Sequence, residues 1–142
     1  MNPNYNHTIT LYNCLRAEDT PEKKDIWYRH VLRNCFYKNL VVRGESDKGV
    51  RMTNAYTVRI PESSEYKQYH EWAKLPEELR ALYFTLRTDD IVLKGECRGE
   101  ITGVAPHTAA QVLNMHKPDA FRVTAISDNT NAVSGKHYRL GG

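Results

Sequence analysis

Residues 83–96, Tyr-Phe-Thr-Leu-Arg-Thr-Asp-Asp-Ile-Val-Leu-Lys-Gly-Glu, carry the densest β-forming pattern of the chain. Apolar residues alternate with polar ones on both sides of Thr88-Asp89-Asp90, whose short polar side chains favour a turn. This pattern predicts a β-hairpin with one apolar face. A lone two-stranded hairpin is marginal in water, so we expect strands or a helix from elsewhere in the chain to cover that face.

Alternation of apolar and other residues predicts further strands along the rest of the chain. The longest is Asp25–Lys38, which carries large residues on both faces. We therefore expect one face of this strand to meet the core and the other to be partly covered by another segment or another subunit. The predicted strands outside the hairpin are Thr8–Asn13, Asp25–Lys38 with a continuation at Leu40–Arg43, Asn54–Ile60, Glu100–Thr102, Ala120–Ser127 and Lys136–Leu140.

The clearest helix signal lies between Thr108 and Lys117. Thr108 and Gln111 have the spacing of a capping box, and Pro118 stops the helix. Residues 76–82 predict one or two helical turns, and Glu62–Leu75 fits either a short packed helix or a loop anchored by aromatic residues. The chain shows no regular alternation of strands and helices.

Together these elements predict a mainly β fold. About seven strands and one short amphipathic helix indicate a small antiparallel β-barrel or sandwich, as a single domain over residues 1–142. Met1–His7 is polar and predicts a flexible N-terminal arm. The polar segment Gly44–Gly49 is bracketed by glycines, and we expect residues 44–52 to form an exposed loop. We assign no structural role to Gly141 and Gly142.

Composition narrows the functional classes. The formal charge of +3 and the pI of 8.7 fall short of the values typical of a dedicated nucleic-acid-binding domain. Cys14, Cys35 and Cys97 are far apart, which favours neither a disulfide set nor a thiolate zinc site and suits a reducing compartment. A signal segment and an apolar run long enough to span a bilayer are both missing from the sequence, so we expect no membrane association.

We find no residue pattern typical of catalysis or of cofactor binding. The sequence lacks the nucleophile, phosphate-loop and zinc-protease motifs, and none of its histidines are three to five residues apart. His116 is expected to meet the helix dipole, Cys35 to be a structural thiol, and Asp89-Asp90 to be turn residues. We therefore predict a protein that is not an enzyme and that uses no cofactor or metal.

Aromatic residues interleaved with basic ones leave one binding alternative. Tyrosines and tryptophans on a small barrel can stack the bases of single-stranded nucleic acid. Core packing and subunit contacts explain the same residues more simply. A small single-stranded nucleic-acid-binding barrel is therefore retained as an alternative function.

The order of six segments resembles a known group of proteins. The segments are Thr-Ile-Thr-Leu-Tyr-Asn (8–13), Asp-Ile-Trp-Tyr-Arg-His-Val-Leu (25–32), Thr-Val-Arg-Ile-Pro (57–61), Tyr-Phe-Thr-Leu (83–86), Asp-Asp-Ile-Val-Leu-Lys-Gly-Glu (89–96) and Lys-His-Tyr-Arg-Leu-Gly-Gly (136–142). In this order the chain resembles small structural proteins of tailed phages and prophages of Gram-positive bacteria. They form an uncharacterised family similar to the head-closure, or stopper, proteins of the head-to-tail connector. The resemblance covers nearly the whole chain, although the segment 62–75 departs from it.

The resemblance implies a virion structural protein. Its subunits would form a homo-oligomeric ring under the portal that seals the packaged DNA in the head and receives the tail. The implied partners are the portal or adaptor protein, tail proteins and the packaged DNA in the ring lumen. The implied location is the head–tail interface of the virion, after assembly in the cytoplasm of the host bacterium. A tail-side completion or terminator protein is the alternative role within the same class.

Two sets of residues follow as interface candidates. Closed rings use two different surfaces of each subunit. The resemblance makes the segment 44–52 a candidate lumen-directed gating loop, with candidate residues Gly44, Glu45, Ser46, Asp47, Lys48, Gly49 and Arg51. The second face of the long strand and the edge of the last strand are candidate subunit contacts, through Trp27, Arg29, Val31, Arg33 and Tyr138.

Overall fold

The computed structural model describes residues 5–46 and 49–142 and confirms the mainly β class. Seven strands form one curled antiparallel sheet, in the order β5-β4-β1-β2-β3-β7-β6. The strands are β1 (His7–Leu15), β2 (Ile26–Ser46), β3 (Gly49–Pro61), β4 (Ile91–Lys94), β5 (Ala120–Arg122), β6 (Ala125–Asp128) and β7 (His137–Gly141). The helices are α1 (Tyr69–Ala73), α2 (Glu77–Arg80) and α3 (Ala109–His116), and a 3₁₀ turn spans Ala17–Asp19.

The long strand β2 belongs to two ladders and changes partner at a bulge. Its first half pairs with β1 as far as Cys35, and its second half pairs with β3 from Phe36 onwards. Within the β1 ladder, between the Ile9–Leu32 and His7–Cys35 pairs, β2 has one residue more than β1, and Asn34 adopts a left-handed φ of 59°. Asparagine tolerates this conformation better than most residues. The extra residue moves the inward-facing positions of β2 from even to odd numbers, because side chains alternate along a strand.

The two edge strands of the sheet follow one another in the chain. Only Val123 and Thr124 separate β5 from β6, and the Thr124 N–H donates to the Gly141 carbonyl of β7 at 2.8 Å. The chain therefore crosses from one edge of the sheet to the other within two residues. The Phe121 ring stacks on the Tyr56 ring of β3 at 4.7 Å between centroids. This contact brings the two ends of the curled sheet together.

Three clusters of buried residues make up the core. The inner face of the sheet holds the largest cluster: Ile9, Leu11, Cys35, Tyr37, Val58, Ile60, Phe84, Leu86, Val92, Phe121, Val123, Tyr138 and Leu140. On the outer face, α3 covers a second cluster built around Tyr12, Ile91, Leu93 and Val112. A third joins Leu15 to Tyr69 and Trp72 of α1. The capping box at Thr108 and Gln111 is present, which confirms the predicted start of α3.

The predicted hairpin over residues 83–96 is wrong, although its turn exists. Only Ile91–Lys94 forms a strand, and β4 pairs with β1 and β5. Phe84 instead makes an isolated parallel bridge to Tyr66 and packs into the inner cluster. The apolar alternation of the first arm thus reflects burial inside the barrel. Long-range pairing with β1 takes the place of the local hairpin.

The predicted loop over residues 44–52 is also wrong in its extent. Gly44–Ser46 pair with Gly49–Arg51, so β2 and β3 continue as a hairpin through most of this segment. Asp47 and Lys48 lie outside the described residues, as do residues 1–4 of the predicted N-terminal arm. Cross-strand hydrogen bonding needs no buried face, which is why a polar stretch here still forms strands.

Two further strand predictions need correction. Residues 100–102 form no strand, and Ile101 is buried under α3 in an irregular segment. The predicted strand Ala120–Ser127 is two strands, β5 and β6, because the chain changes sheet edge at Val123. The remaining strand predictions are confirmed within a few residues at each end, apart from the longer β2 and β3.

Gly142 has a structural role that the sequence did not indicate. It exchanges two backbone hydrogen bonds with Tyr56, at 2.9 and 3.3 Å. A Cβ at this position would lie 2.7 Å from the Arg122 carbonyl oxygen and closer still to the Phe121 ring. Glycine is therefore required where β3, β5 and the end of β7 meet.

We expect Gly142→Ala to destabilise the protein, because the added methyl group forces apart the contact that joins the two ends of the sheet. Overpacking of this kind costs about 1–3 kcal/mol in the free energy of unfolding. Urea denaturation of the variant and the wild type measures the difference. Gly99→Ala is the matched control, since its Cβ would meet only the Cys97 sulfur, at an ordinary 3.7 Å. Equal losses in the two variants would contradict the packing role of Gly142.

Candidate functional site

The most prominent surface feature is a two-stranded ribbon. β1 pairs with β2 only as far as Cys35, and β7 pairs with β3 only from Thr57 onwards. Between Leu40 and Ala55, β2 and β3 pair with each other and with no further strand of the described chain. At about 3.4 Å per residue, this segment extends roughly 20 Å from the barrel. We call residues 40–46 and 49–55 the ribbon.

The ribbon carries apolar side chains with little to pack against. Leu40, Val41 and Val50 are 51%, 56% and 55% exposed, and none of them belongs to the three core clusters. A two-stranded hairpin without a covered face is marginally stable in water. Apolar side chains grouped on such a segment are typical of a surface that contacts another molecule.

The candidate gating residues lie at the far end of the ribbon. Gly44, Glu45 and Ser46 end β2, and Gly49 and Arg51 begin β3, so the structure brings them together on paired strands. Asp47 and Lys48 lie outside the described residues. The sequence predicted a strand at Leu40–Arg43 and identified the tip, but it missed that β2 and β3 pair with each other up to the tip, since the exposed Leu40, Val41 and Val50 follow no pattern of burial.

The second face of β2 is partly covered by the chain itself. Trp27 packs against the cluster beneath α3, and Arg29 donates from Nη1 to the Cys97 carbonyl at 2.8 Å. Arg33 forms an exposed ion pair with Glu96 at 3.4 Å, a contact that contributes little to stability. The segment after β4 thus provides the cover that we expected from either another segment or another subunit.

Tyr138 lies in the interior. It is 7% exposed, and its ring packs 4.4 Å from that of Tyr66 between centroids. β7 has β3 on one side and β6 on the other, so the prediction that the last strand is an edge of the sheet is wrong. The edge strands are β5 and β6, which precede it in the chain.

The histidine, cysteine and acidic side chains are dispersed over the part of the chain that the structure describes. Within residues 5–46 and 49–142, no three histidine, cysteine, aspartate or glutamate side chains come together in a way that would hold a metal ion. Burial raises the pKa of the Cys14 and Cys35 thiols to about 12, which keeps both protonated. Cys97 lies 3.7 Å from the Nε2 of His116, a proximity that the spacing of 19 residues could not indicate. No helix in the described ranges is long and apolar enough to cross a membrane.

The Asp90 carboxylate forms a buried polar cluster beside the turn. It accepts hydrogen bonds from the Asn13 side chain and from the backbone N–H groups of Cys14 and Arg87, at 2.9–3.1 Å. The Asn13 side chain also donates a hydrogen bond to the Thr85 carbonyl and accepts one from the Thr85 N–H. Burial raises the pKa of Asp90 to about 7, and the three N–H donors oppose this rise. The cluster fastens the segment after α2 to the end of β1.

His30 is a second buried titratable group, on the inner side of β2. Burial, with a contribution from the charge of Arg29, lowers the pKa of His30 to about 4. Its Nε2 has no hydrogen-bond partner within the part of the chain that the structure describes. A neutral imidazole is therefore the favoured form in the folded protein at neutral pH.

These two groups predict opposite pH dependences of stability. The folded state binds the Asp90 proton more tightly than the unfolded state, so this contribution is present at low pH and is lost as pH rises from about 4 to 7. The folded state disfavours protonated His30, so that contribution is lost as pH falls from 6.5 towards 4. We expect the two to offset each other in the wild type between pH 4.5 and 6.5.

Single variants separate the two contributions. In His30→Leu, the free energy of unfolding falls as pH rises, by at most about 1.4 kcal/mol per pH unit. In Asp90→Asn, it rises over the same interval. Urea denaturation at intervals of half a pH unit gives both slopes. A stability of His30→Leu that does not change with pH would exclude the assigned role of Asp90.

Comparison with known proteins places the chain in a family. No curated protein matches the sequence. A family model matches residues 4–142, which is almost the whole chain and includes every strand, the ribbon and Gly142. The chain therefore belongs to DUF6751, a family of unknown function.

Proposed function

We propose that the chain is a ring-forming structural subunit of a tailed-phage head-to-tail connector, in the head-closure position that seals packaged DNA and joins the tail. The observation that carries the proposal is the ribbon, a self-paired extension with exposed Leu40, Val41 and Val50. The segment order of the sequence, which resembles phage structural proteins, supplies the phage context. A tail-side completion or terminator protein is the nearest alternative, since it would use the same ring architecture.

The ribbon supports the proposed assembly because burial of its strand edges and apolar side chains against a neighbour is energetically favourable. Extended strands that project from a barrel expose backbone groups along both outer edges, and natural proteins usually protect such edges. Packing Leu40 and Val41 against a neighbour removes apolar surface from water, at about 25 cal/mol per Å² buried. None of the ribbon side chains that the structure describes belongs to the three core clusters of the barrel.

The tip of the ribbon supports the proposed gating role. Gly44 and Gly49 flank the most charged part of the hairpin, which includes Glu45, Asp47 and Lys48. In a ring whose ribbons turn inward, these charged tips would line the lumen through which DNA passes. The ring partners would then be further copies of the chain, with the portal or adaptor protein on one side and tail proteins on the other.

The aromatic residues favour this proposal over a single-stranded nucleic-acid-binding barrel. All 14 are buried or half-buried, and Tyr37, Tyr56 and Phe121 contact one another. Base stacking requires accessible ring faces. The formal net charge of +3 is too small for electrostatic attraction alone to take the place of base stacking.

We expect Leu40→Asp/Val41→Asp to abolish assembly without unfolding the barrel. Charges at these positions cannot be buried against a neighbour, and neither side chain belongs to the core. Light scattering measures the mass of the protein alone and mixed with portal particles from the same phage. The wild type should shift to a multiple of 16.4 kDa or enter the portal peak, and the variant should do neither. Val133→Asp, at a fully exposed position of the β6–β7 loop, is the control.

A wild-type protein that stays monomeric alone and with portal particles would overturn the proposed function. Salt-dependent retardation of single-stranded DNA by that monomer would then favour the nucleic-acid alternative.

Deletion of Glu45–Lys48 tests the gating role separately. It shortens the tip and leaves Leu40 and Val41 in place, so we expect rings to form while the particles fail to retain DNA. Encapsidated DNA is measured by nuclease protection, and tail joining by electron microscopy. Normal retention of DNA and normal tails would show that the tip does not gate.

A further inference from the structure

β2 has an open backbone edge next to its bulge. β1 occupies one edge of Ile26–Cys35, and β3 joins the other edge only from Phe36 onwards. No strand of the described chain pairs with the β3-side edge before the bulge. This edge of β2 is therefore open to pairing with a further strand.

The backbone direction of β2 shows which groups this edge presents. The Gly95 N–H donates to the Thr8 carbonyl at 2.7 Å, on the β4 side of β1, so odd-numbered residues of β1 point their backbone groups at β2. Leu11 is one of these, and it pairs with His30. The backbone groups of His30 therefore face β1, and those of Val31 face the open edge. The open edge is also faced by the backbone groups of Trp27, Arg29 and Arg33.

A cleft of about 580 Å³ runs beside this edge. Val31–Cys35 form one wall, and Ile60–Ser63 form the other where β3 diverges from β2 after Pro61. Phe84 also lines the cleft, and Arg33, Glu62, Glu65 and Lys136 contribute charges of both signs. The cleft thus combines an open strand edge, an apolar lining and a mixed polar boundary, which together suit an extended segment of polypeptide.

The same chain has an extended segment, the ribbon, whose outer edges pair with no further strand in the described part of the chain. The ribbon is already in strand conformation, so adding one of its edges to another sheet costs little ordering entropy. Its exposed Leu40, Val41 and Val50 need apolar cover, which the residues along the cleft provide. The cleft and the ribbon lie at opposite ends of the β2–β3 pair, and the ribbon extends away from the barrel. The ribbon therefore fits the cleft of a second copy.

We propose that the cleft beside the β2 bulge receives the ribbon of a neighbouring copy, which adds a strand to the open edge at Trp27–Arg33. The contact is head-to-tail, because it joins two different surfaces, and repetition around an axis closes a ring. The inference rests on the proposed function, since it requires copies of the chain to associate. It assigns to Val31 and Arg33 a backbone role in assembly in place of a side-chain contact.

Complementation between two defective variants tests this arrangement. Val31→Pro removes an N–H from the open edge, where a proline is tolerated because β1 bonds on the opposite side. Val31→Ala keeps the N–H and is the matched control. Leu40→Asp/Val41→Asp removes the ribbon contact and keeps the cleft. Circular dichroism melts establish that each variant is folded before mixing, and Ser63→Trp, which fills the cleft, serves as a second cleft variant.

A head-to-tail contact has a distinctive result in this experiment. The cleft variant and the ribbon variant should each remain monomeric alone, because neither can form the contact with itself. An equimolar mixture should form a heterodimer of twice the 16.4 kDa chain mass by light scattering, since one intact cleft then meets one intact ribbon. Val31→Ala should assemble as the wild type does.

Two results would overturn the inference and leave the proposed function standing. One is a wild type that assembles while the mixture stays monomeric, which would point to a ribbon-to-ribbon contact. The other is normal assembly of both cleft variants. Failure of the wild type to associate under any condition would instead remove the proposed function, and the inference with it.

Discussion

The extra residue at Asn34 is the constraint on which the rest of the architecture depends. It lies close to where one strand passes from one ladder to the next, since β1 pairs with Ile26–Cys35 and β3 with Phe36–Ser46. It also reverses the inward positions, so that His30 before the bulge and Cys35 and Tyr37 after it all face the inner side of the barrel. A regular strand would have turned Tyr37 to the outside and left the inner cluster incomplete. The open edge beside Val31 lies just before this point, because β3 pairs with β2 only from Phe36 onwards.

Much of the fold could be predicted from the sequence where burial and strand alternation coincide. The buried residues of β7 alternate and α3 buries Val112, so their apolar residues follow the burial; β1 is buried on both faces, but its run of β-forming residues still identified it as a strand. The bulge could not be predicted from the sequence. Apolar residues alternate regularly before Asn34 and again after it, and nothing in the sequence shows that one residue is inserted between the two patterns. The continuation of β2 was predicted as far as Arg43, but its extension to Ser46 and the start of β3 at Gly49 were missed for the opposite reason. Strands that pair only with each other bury nothing, so their sequence carries no alternation that would distinguish them from a loop.

The candidate interface residues also include predictions that burial alone could not decide. Large side chains on both faces of β2 correctly indicated that both faces are covered, but the covering segment after β4 is part of the same chain. Sequence alone does not distinguish cover by the chain from cover by a neighbour, since the burial is the same. The expectation of an open edge at the last strand was wrong, because strand order is set by the crossing at Val123, where the chain leaves one edge of the sheet for the other, and β6 then pairs with β7.

The barrel and the ribbon are energetically separable, and this bears on how the molecule would work. Among the side chains that the structure describes, the three core clusters include none from the ribbon. Local stability follows local burial, so the ribbon can open or change partner without unfolding the barrel. An assembly subunit benefits from this division, because the contact that joins copies can form late and reversibly on a scaffold that is already folded. The Asp90 cluster and Gly142 belong to the scaffold, whereas in the proposed assembly Leu40, Val41 and the open edge of β2 would act on association, so stability and assembly would respond to different substitutions.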